Sequence, residues 1–82
     1  MRLRPGFPVF AVGELTGMVS QSTTQAGDSL ARADYVIPPA GVRQPMPVGH
    51  VQEWLAGTLC DARGAFCAYV YVPAAAVDPH AA

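Results

Sequence analysis

The chain has 82 residues, of which 51% are hydrophobic and 13% are charged. A single domain of this size leaves much of its surface exposed, so a composition this poor in charge predicts apolar surface that other subunits or a larger body would cover. The net charge of −1, with five arginines and no lysine, excludes the basic surface that binding to nucleic acid requires.

The N-terminus does not have the pattern of a targeting segment. Arg2 and Arg4 resemble the start of a signal peptide, but Pro5, Gly6 and Pro8 interrupt what would be its hydrophobic helix. Apolar runs elsewhere are shorter than the ~18–20 residues of a membrane-spanning helix. We therefore expect no membrane association, and a location in the cytoplasm or in a particle assembled there, such as a virion.

The first third of the chain predicts one strand between two irregular segments. Residues 1–8 are predicted to be an extended arm, either frayed or lying along a neighbouring subunit, because Pro5 and Pro8 lack amide donors. Residues 9–15 predict a strand. The polar residues 20–29 predict a loop that ends in a turn, and the exposed face of a strand is the alternative.

The middle of the chain predicts a strand followed by a proline-rich connection. Residues 30–37 end in Tyr-Val-Ile and are followed at once by Pro38, which favours a strand over a helix that begins near Asp28. Four prolines in residues 38–49 exclude regular structure there. We expect an extended connection that turns at Ala40-Gly41 and either crosses one edge of the sheet or forms a contact surface.

The most definite element is a C-terminal β-hairpin with strands at about 51–60 and 65–72. Asp61-Ala62-Arg63-Gly64 has the composition of a turn, and a four-residue loop would pair Leu55 with Val70. A short helix that begins at Pro47 and ends at Gly57 is the alternative. Residues 73–82 are predicted to be a flexible tail.

This pairing sorts the hairpin side chains onto two faces. One face is mostly aliphatic and the other carries the polar and aromatic groups. The first consists of Val51, Leu55, Leu59, Phe66, Val70 and Val72, and the second of Trp54, Thr58, Cys60, Cys67, Tyr69 and Tyr71.

The fold predicted from these elements is mainly β. We expect a single domain over residues 9–72, built as a partly closed barrel or a two-layer sandwich of roughly four to six strands, with both termini extended. Because open strand edges invite aggregation and there is no lysine to guard them, we expect another chain to cover the edges.

The cysteines and histidines are the first residues to consider for chemistry. The predicted pairing places Cys60 and Cys67 on a diagonal, with Cα atoms ~7–8 Å apart, beyond the usual ~4.4–6.8 Å of a disulfide. They are predicted to be separate, half-buried hydrophobic residues, although whether they are ever bridged stays open. Their spacing is also unlike that of zinc ligands, which only His50 and His80 could complete.

No pattern predicts catalysis. His50 and Glu53 would be one turn apart only in a helix, no nucleophile motif is present, and so short a chain leaves little room for a pocket of ~300 Å³. We predict a protein that is not an enzyme and binds no metal or cofactor. A small thiol- or metal-dependent enzyme or sensor is the weakest alternative.

The aromatic side of the hairpin indicates protein–protein contact. Trp54, Tyr69 and Tyr71 are of the residue types enriched in interfaces, and their alternative role is to fill a core. The full set of predicted contact residues adds the arm, the first strand and the proline-rich connection: Phe7, Phe10, Val42, Met46, Trp54, Tyr69 and Tyr71.

The predicted function is therefore structural. We expect a non-enzymatic protein that packs in many copies, with itself or with a major structural protein, on a larger symmetric assembly. Its composition is like that of small proteins that decorate or cement bacteriophage capsids, although no motif supports a family match. The alternative is a free-standing cytoplasmic inhibitor or adaptor that binds one protein through its aromatic face.

Overall fold

The computed structural model describes residues 1–43, Gly49 and residues 51–80. Its elements are β1 (Pro8–Val12), β2 (Val19–Thr23), β3 (Ser29–Val36), β4 (Trp54–Cys60), β5 (Cys67–Pro73) and a 3-10 turn, Ala74–Ala76. The strands form one antiparallel sheet in the order β2-β1-β5-β4-β3. The mainly β prediction is confirmed, and the sheet is not closed into a barrel.

The sheet is curled, because its two edge strands follow each other in the chain. Only five residues separate Thr23 at the end of β2 from Ser29 at the start of β3. Edge strands of a flat five-stranded sheet would be about 19 Å apart, a distance that such a linker reaches only when fully extended. This linker instead makes a turn in which Asp28 N–H donates to the Gln25 carbonyl at 3.1 Å, so the two edges must approach each other.

The prediction of an extended arm over residues 1–8 is wrong. Leu3 is only 5% exposed and belongs to the core. The buried Thr24 hydroxyl accepts a hydrogen bond from Phe7 N–H at 2.9 Å and donates one to the Arg4 carbonyl. The segment is held against the chain itself because these backbone groups find partners there.

The prediction of a flexible tail over residues 73–82 is also wrong for its described part. Ala76 in the 3-10 turn is fully buried, and Val77 forms an isolated β-bridge with Leu3. The two ends of the described chain therefore lie side by side, and this contact closes one side of the core. Residues 81–82 lie outside the described residues.

The polar run predicted as a loop over residues 20–29 is a strand for its first part. β2 pairs with β1 through Val12 and Val19, and Gly13 N–H donates to the Met18 carbonyl at 2.9 Å at the hairpin end. Every residue of β2 is exposed. Because neither face of β2 is buried, its sequence does not alternate between apolar and polar residues. The pattern that usually predicts a strand is therefore absent.

Strand β3 confirms the prediction for residues 30–37, but it contains a β-bulge. Pairing with β4 is interrupted between Ala31 and Asp34, so that Arg32 and Ala33 both lie opposite Gly57. Arg32 has a φ of 54°, in the left-handed region. Two residues opposite one, with an irregular dihedral angle, define a bulge, which bends the strand and increases its twist.

The C-terminal hairpin is present, with its pairing shifted by two residues. Leu55 pairs with Val72 rather than with Val70, and the loop contains six residues instead of four. The Asp61 carboxylate holds this wider loop by accepting from Arg63 N–H and Ala65 N–H at 3.1 and 2.9 Å. Because side chains alternate with a period of two, a two-residue shift leaves each strand residue on its predicted face.

Each face of the sheet carries a hydrophobic cluster. The inner face bears the main core, made of Leu3, Val9, Leu30, Leu55, Leu59, Val70, Val72 and Ala76. Val51 and Phe66, which were predicted on this face, are exposed and lie outside the strands. The outer face bears a second cluster of Phe10, Val42 and Trp54.

The described part of the proline-rich connection covers the outer face. It turns at Ala40-Gly41 as predicted, with Val42 N–H donating to the Pro39 carbonyl at 3.2 Å. The turn brings Val42 onto the second cluster, where it is fully buried. The connection joins the neighbouring strands β3 and β4, so the predicted crossing of a sheet edge is not observed in residues 38–43.

Candidate functional site

Three of the predicted contact residues lie in the core. Phe10, Val42 and Trp54 are 4%, 0% and 4% exposed, and the Phe10 and Trp54 rings pack edge to face with centroids 5.6 Å apart. A side chain that is buried within its own chain cannot offer its surface to a partner. Phe10 and Val42 therefore stabilise the outer face instead of forming the contact surface predicted for them, whereas Trp54, although buried, also lines the cleft described below.

The other predicted contact residues differ in exposure. Phe7 and Tyr71 are half-buried against the inner and outer clusters respectively. Tyr69 is 60% exposed and packs edge to face on Tyr71, with ring centroids 5.9 Å apart. Met46 lies outside the described residues. Tyr69 is thus the one described member of the predicted set with most of its side chain accessible.

The described residues form an open cleft of about 600 Å³ where β3 ends and β4 begins. Because it is open to solvent, it is not the buried pocket of ~300 Å³ for which so short a chain was expected to have little room. Its most exposed walls are Tyr35, Ile37 and Val51, which are 71%, 85% and 89% accessible. The cleft is lined by Tyr35, Val36, Ile37, Pro38, Arg43, Val51, Gln52, Glu53 and Trp54.

The cleft forms because β3 and β4 separate at this end of the sheet. Val36 and Trp54 make the last pair of the two strands, and Pro38 cannot donate to a ladder or continue it. On the opposite wall, Ala74 N–H donates to the Glu53 carbonyl at 2.9 Å and fixes the backbone that leads into β4. The cleft therefore lies between the end of β3 and the start of β4.

The groups that line the cleft are mostly apolar, with one charge of each sign. Tyr35, Ile37 and Val51 supply apolar surface, and the exposed Arg43 and Glu53 supply one charge of each sign. A nucleophile paired with a base, which acyl or group transfer would need, is not among the lining residues. His50, which the sequence analysis considered as a base or ligand and did not predict as either, lies outside the described residues.

The cysteines are closer together than predicted. Cys60 and Cys67 are directly opposite each other, with Cα atoms 4.3 Å apart, and form a disulfide. The diagonal placement was wrong because it assumed a loop two residues too short. Both sulfur atoms are consumed by this bond, and no group of three metal-ligating side chains occurs in the part of the chain that the structure describes.

Of the cleft residues, sequence reasoning predicted only Trp54 as a contact residue and missed the exposed ones. Ile37 was placed within an alternating strand and Val51 on the core face of the hairpin. The available signal was their position, since each is a large apolar residue at the boundary between a strand and the Pro/Gly-rich connection. Ile37 and Val51 come together only because β3 pairs with β4. The local sequence does not specify this pairing.

Comparison with known proteins gives no relative. No protein-family model, curated protein or solved structure is significantly similar to the chain. In the described residues, no helix is long and apolar enough to cross a membrane.

Proposed function

We propose that this chain is a non-enzymatic structural protein that packs in multiple copies on a larger protein assembly. The main support for this proposal is the apolar cleft, whose lining includes the solvent-exposed side chains of Tyr35, Ile37 and Val51. Apolar surface concentrated in a concave site with charged residues at hand is typical of protein-interaction sites.

The distribution of exposed apolar side chains favours many neighbours over one. Besides the cleft, Leu15 and Met18 are exposed at the β1–β2 turn, and Phe66 and Tyr69 at the β4–β5 end. An adaptor with a single partner needs one such surface. A subunit surrounded by other subunits uses several, which supports the multicopy assembly.

The disulfide supports an assembly that leaves the cytosol. Disulfides persist in oxidising surroundings and are rare in cytosolic proteins, and the Cys60–Cys67 bridge ties the two strands at their loop end. A particle assembled in the cytoplasm and then released, such as a virion with a capsid-decorating or cementing protein, meets this condition. The composition of the chain supports the same proposal.

The proposal can be tested by measuring the size of the complexes that contain the chain in the cells that produce it. We expect density-gradient sedimentation to find the chain in particles far heavier than its own 8.6 kDa, with quantitative mass spectrometry giving many copies in each. Val51→Asp places a charge in the cleft and should move the chain to the light fractions. Ala31→Asp places the same charge on the exposed face of the edge strand β3, outside the cleft and the two apolar strand ends, and should not.

Two results would contradict the proposal. A chain found only as a free monomer would remove the basis for any assembly role. A complex with one copy of a single host protein would instead favour the inhibitor or adaptor, for which the exposed Tyr69 would be the first contact residue to substitute.

A further inference from the structure

Within the described part of the chain, strand β2 is an open edge without the usual protection. It is five residues long, all exposed, and its sequence Val-Ser-Gln-Ser-Thr contains no charge and no proline. Natural edge strands are normally guarded by charges, prolines, bulges or a covering segment. Among the described residues, only β1 pairs with it, on one side.

The opposite edge of the sheet is protected. Strand β3 contains the bulge at Arg32 and Ala33 and carries charged side chains. The N-terminal segment also covers its start, since Arg2 bridges to Ser29 and Leu30 N–H donates to the Met1 carbonyl at 2.7 Å. A chain that simply stacked edge to edge, β2 on β3, would meet these obstacles.

The hydrogen bonds to β1 show which peptide groups of β2 point outward. Gly13 N–H donates to the Met18 carbonyl just before β2, and six residues further along the chain Thr24 N–H donates to the Phe7 carbonyl. Bonded and non-bonded pairs alternate along an antiparallel ladder, so Ser20 and Ser22 bond to β1. The N–H and C=O groups of Val19, Gln21 and Thr23 therefore face away from the sheet.

We propose that β2 pairs with β2 of a second copy of this chain, antiparallel and about a twofold axis through Gln21. The two Gln21 residues exchange N–H···O=C bonds with each other, and Val19 pairs with Thr23 of the other copy on either side. Two five-stranded sheets then become one ten-stranded sheet. This pairing rests on the proposed function and names one contact within the assembly.

The pattern of β2 fits a second copy better than an unrelated strand. The outward residues are spaced symmetrically about Gln21, so one edge complements itself, as an isologous contact requires. With no charge in the strand, two copies do not repel. The Thr23 carbonyl now accepts a hydrogen bond from Gln25 Nε2 at 3.3 Å. In the dimer, the N–H of Val19 of the second copy replaces this side-chain donor.

The contact is small. Five residues on each side are fewer than the ~20–30 of a standard interface, so the purified chain should associate in a concentration-dependent way. Sedimentation equilibrium should show the average mass rising from 8.6 kDa toward twice that value between micromolar and millimolar concentration.

The first test removes the outward N–H of β2. Gln21→Pro is compatible with the folded chain because proline is tolerated where an edge-strand N–H faces solvent. It deletes both central hydrogen bonds of the pair, and we expect the association constant to fall by at least about fivefold. Gln21→Ala keeps the N–H group and should associate nearly as the unchanged chain does. Equal association of the proline and alanine variants would overturn the proposal.

The second test uses charge across the twofold axis. Gln21→Lys and Gln21→Glu each place like charges directly opposite each other, so each variant alone should associate more weakly. An equimolar mixture of the two should regain association as a heterodimer, with the gain lost at high salt. A mixture no better than either variant alone would mean that Gln21 does not face Gln21.

The experiments distinguish a failure of the β2 pairing from a failure of the proposed assembly function. If Val51→Asp removes the chain from heavy particles while Gln21→Pro has no effect on self-association, the assembly role stands and the β2 pairing is wrong. If Gln21→Pro abolishes self-association but the chain is never found in particles, the pairing stands and the assembly role is wrong.

Discussion

Replacement of Gly57 by alanine tests whether the β3 bulge is packed against β4 as the structure shows. A Cβ atom at this position would lie 2.8 Å from the Ala31 carbonyl oxygen and 3.1 Å from Ala33 Cα, both backbone atoms. It would also lie 3.1 Å from Leu30 Cγ. Since backbone cannot rotate away as a side chain can, the bulge itself must shift.

The expected cost follows from these contacts. Overpacking of this kind costs about 1–3 kcal/mol, and the lower entropy of the unfolded alanine chain returns up to about 1 kcal/mol. We expect Gly57→Ala to lower the free energy of unfolding by about 1–2 kcal/mol, or the melting temperature by about 4–16 °C for a domain of this size.

The assay is urea denaturation followed by fluorescence of Trp54, the single tryptophan, which is buried in the native chain. Gly13→Ala is the matched control, because the only close contact of its Cβ would be the Thr16 side chain, at 2.5 Å, with the nearest backbone atom, the Met18 carbonyl oxygen, at an ordinary 3.7 Å. Thr16 can rotate at the loss of one exposed hydrogen bond, so the control should change stability by no more than about 0.5 kcal/mol. If Gly57→Ala is as stable as the control, the bulge does not pack against Gly57 and the reasoning is refuted.

Three further substitutions test the remaining contacts by the same denaturation assay. Replacing both Cys60 and Cys67 with serine should cost about 2.5 kcal/mol, from the short loop that the disulfide closes, and an unchanged midpoint would show that the bridge is not formed. Thr24→Val removes the buried hydroxyl that holds the N-terminal segment and should cost about 1–3 kcal/mol. Thr24→Ser keeps the hydroxyl, so an equal loss would count against that role. Val42→Ala should cost about 1–3 kcal/mol and shift Trp54 emission to longer wavelength, whereas unchanged emission would contradict the packing of the turn on the second cluster.

The hairpin shows which part of the fold was accessible from the sequence. Leu55, Leu59, Val70 and Val72 were assigned to one face and do form the core, because alternation with a period of two survives a shift of two residues. Loop length was not accessible. The side chain of Asp61 accepts two backbone N–H groups in a six-residue loop, and its turn composition suits a four-residue loop equally well.

Long-range pairing explains the other errors. The N-terminal segment was read as an arm because Pro5 and Pro8 prevent regular structure, yet its backbone groups bond to residues more than 15 positions away. The cleft depends in the same way on the pairing of Val36 with Trp54. Local patterns carry no information on such contacts, which arise from burial of the whole chain.

The central claim is that the cleft is a contact with other protein subunits. A photo-crosslinking amino acid in place of Val51, which is exposed at the cleft wall, tests it in the cells that produce the chain. We expect a defined set of cross-linked products that contain other structural subunits, while the same group at Ala31, exposed on β3, gives few. Recovery of the uncross-linked 8.6 kDa chain alone from the position 51 variant would contradict the account.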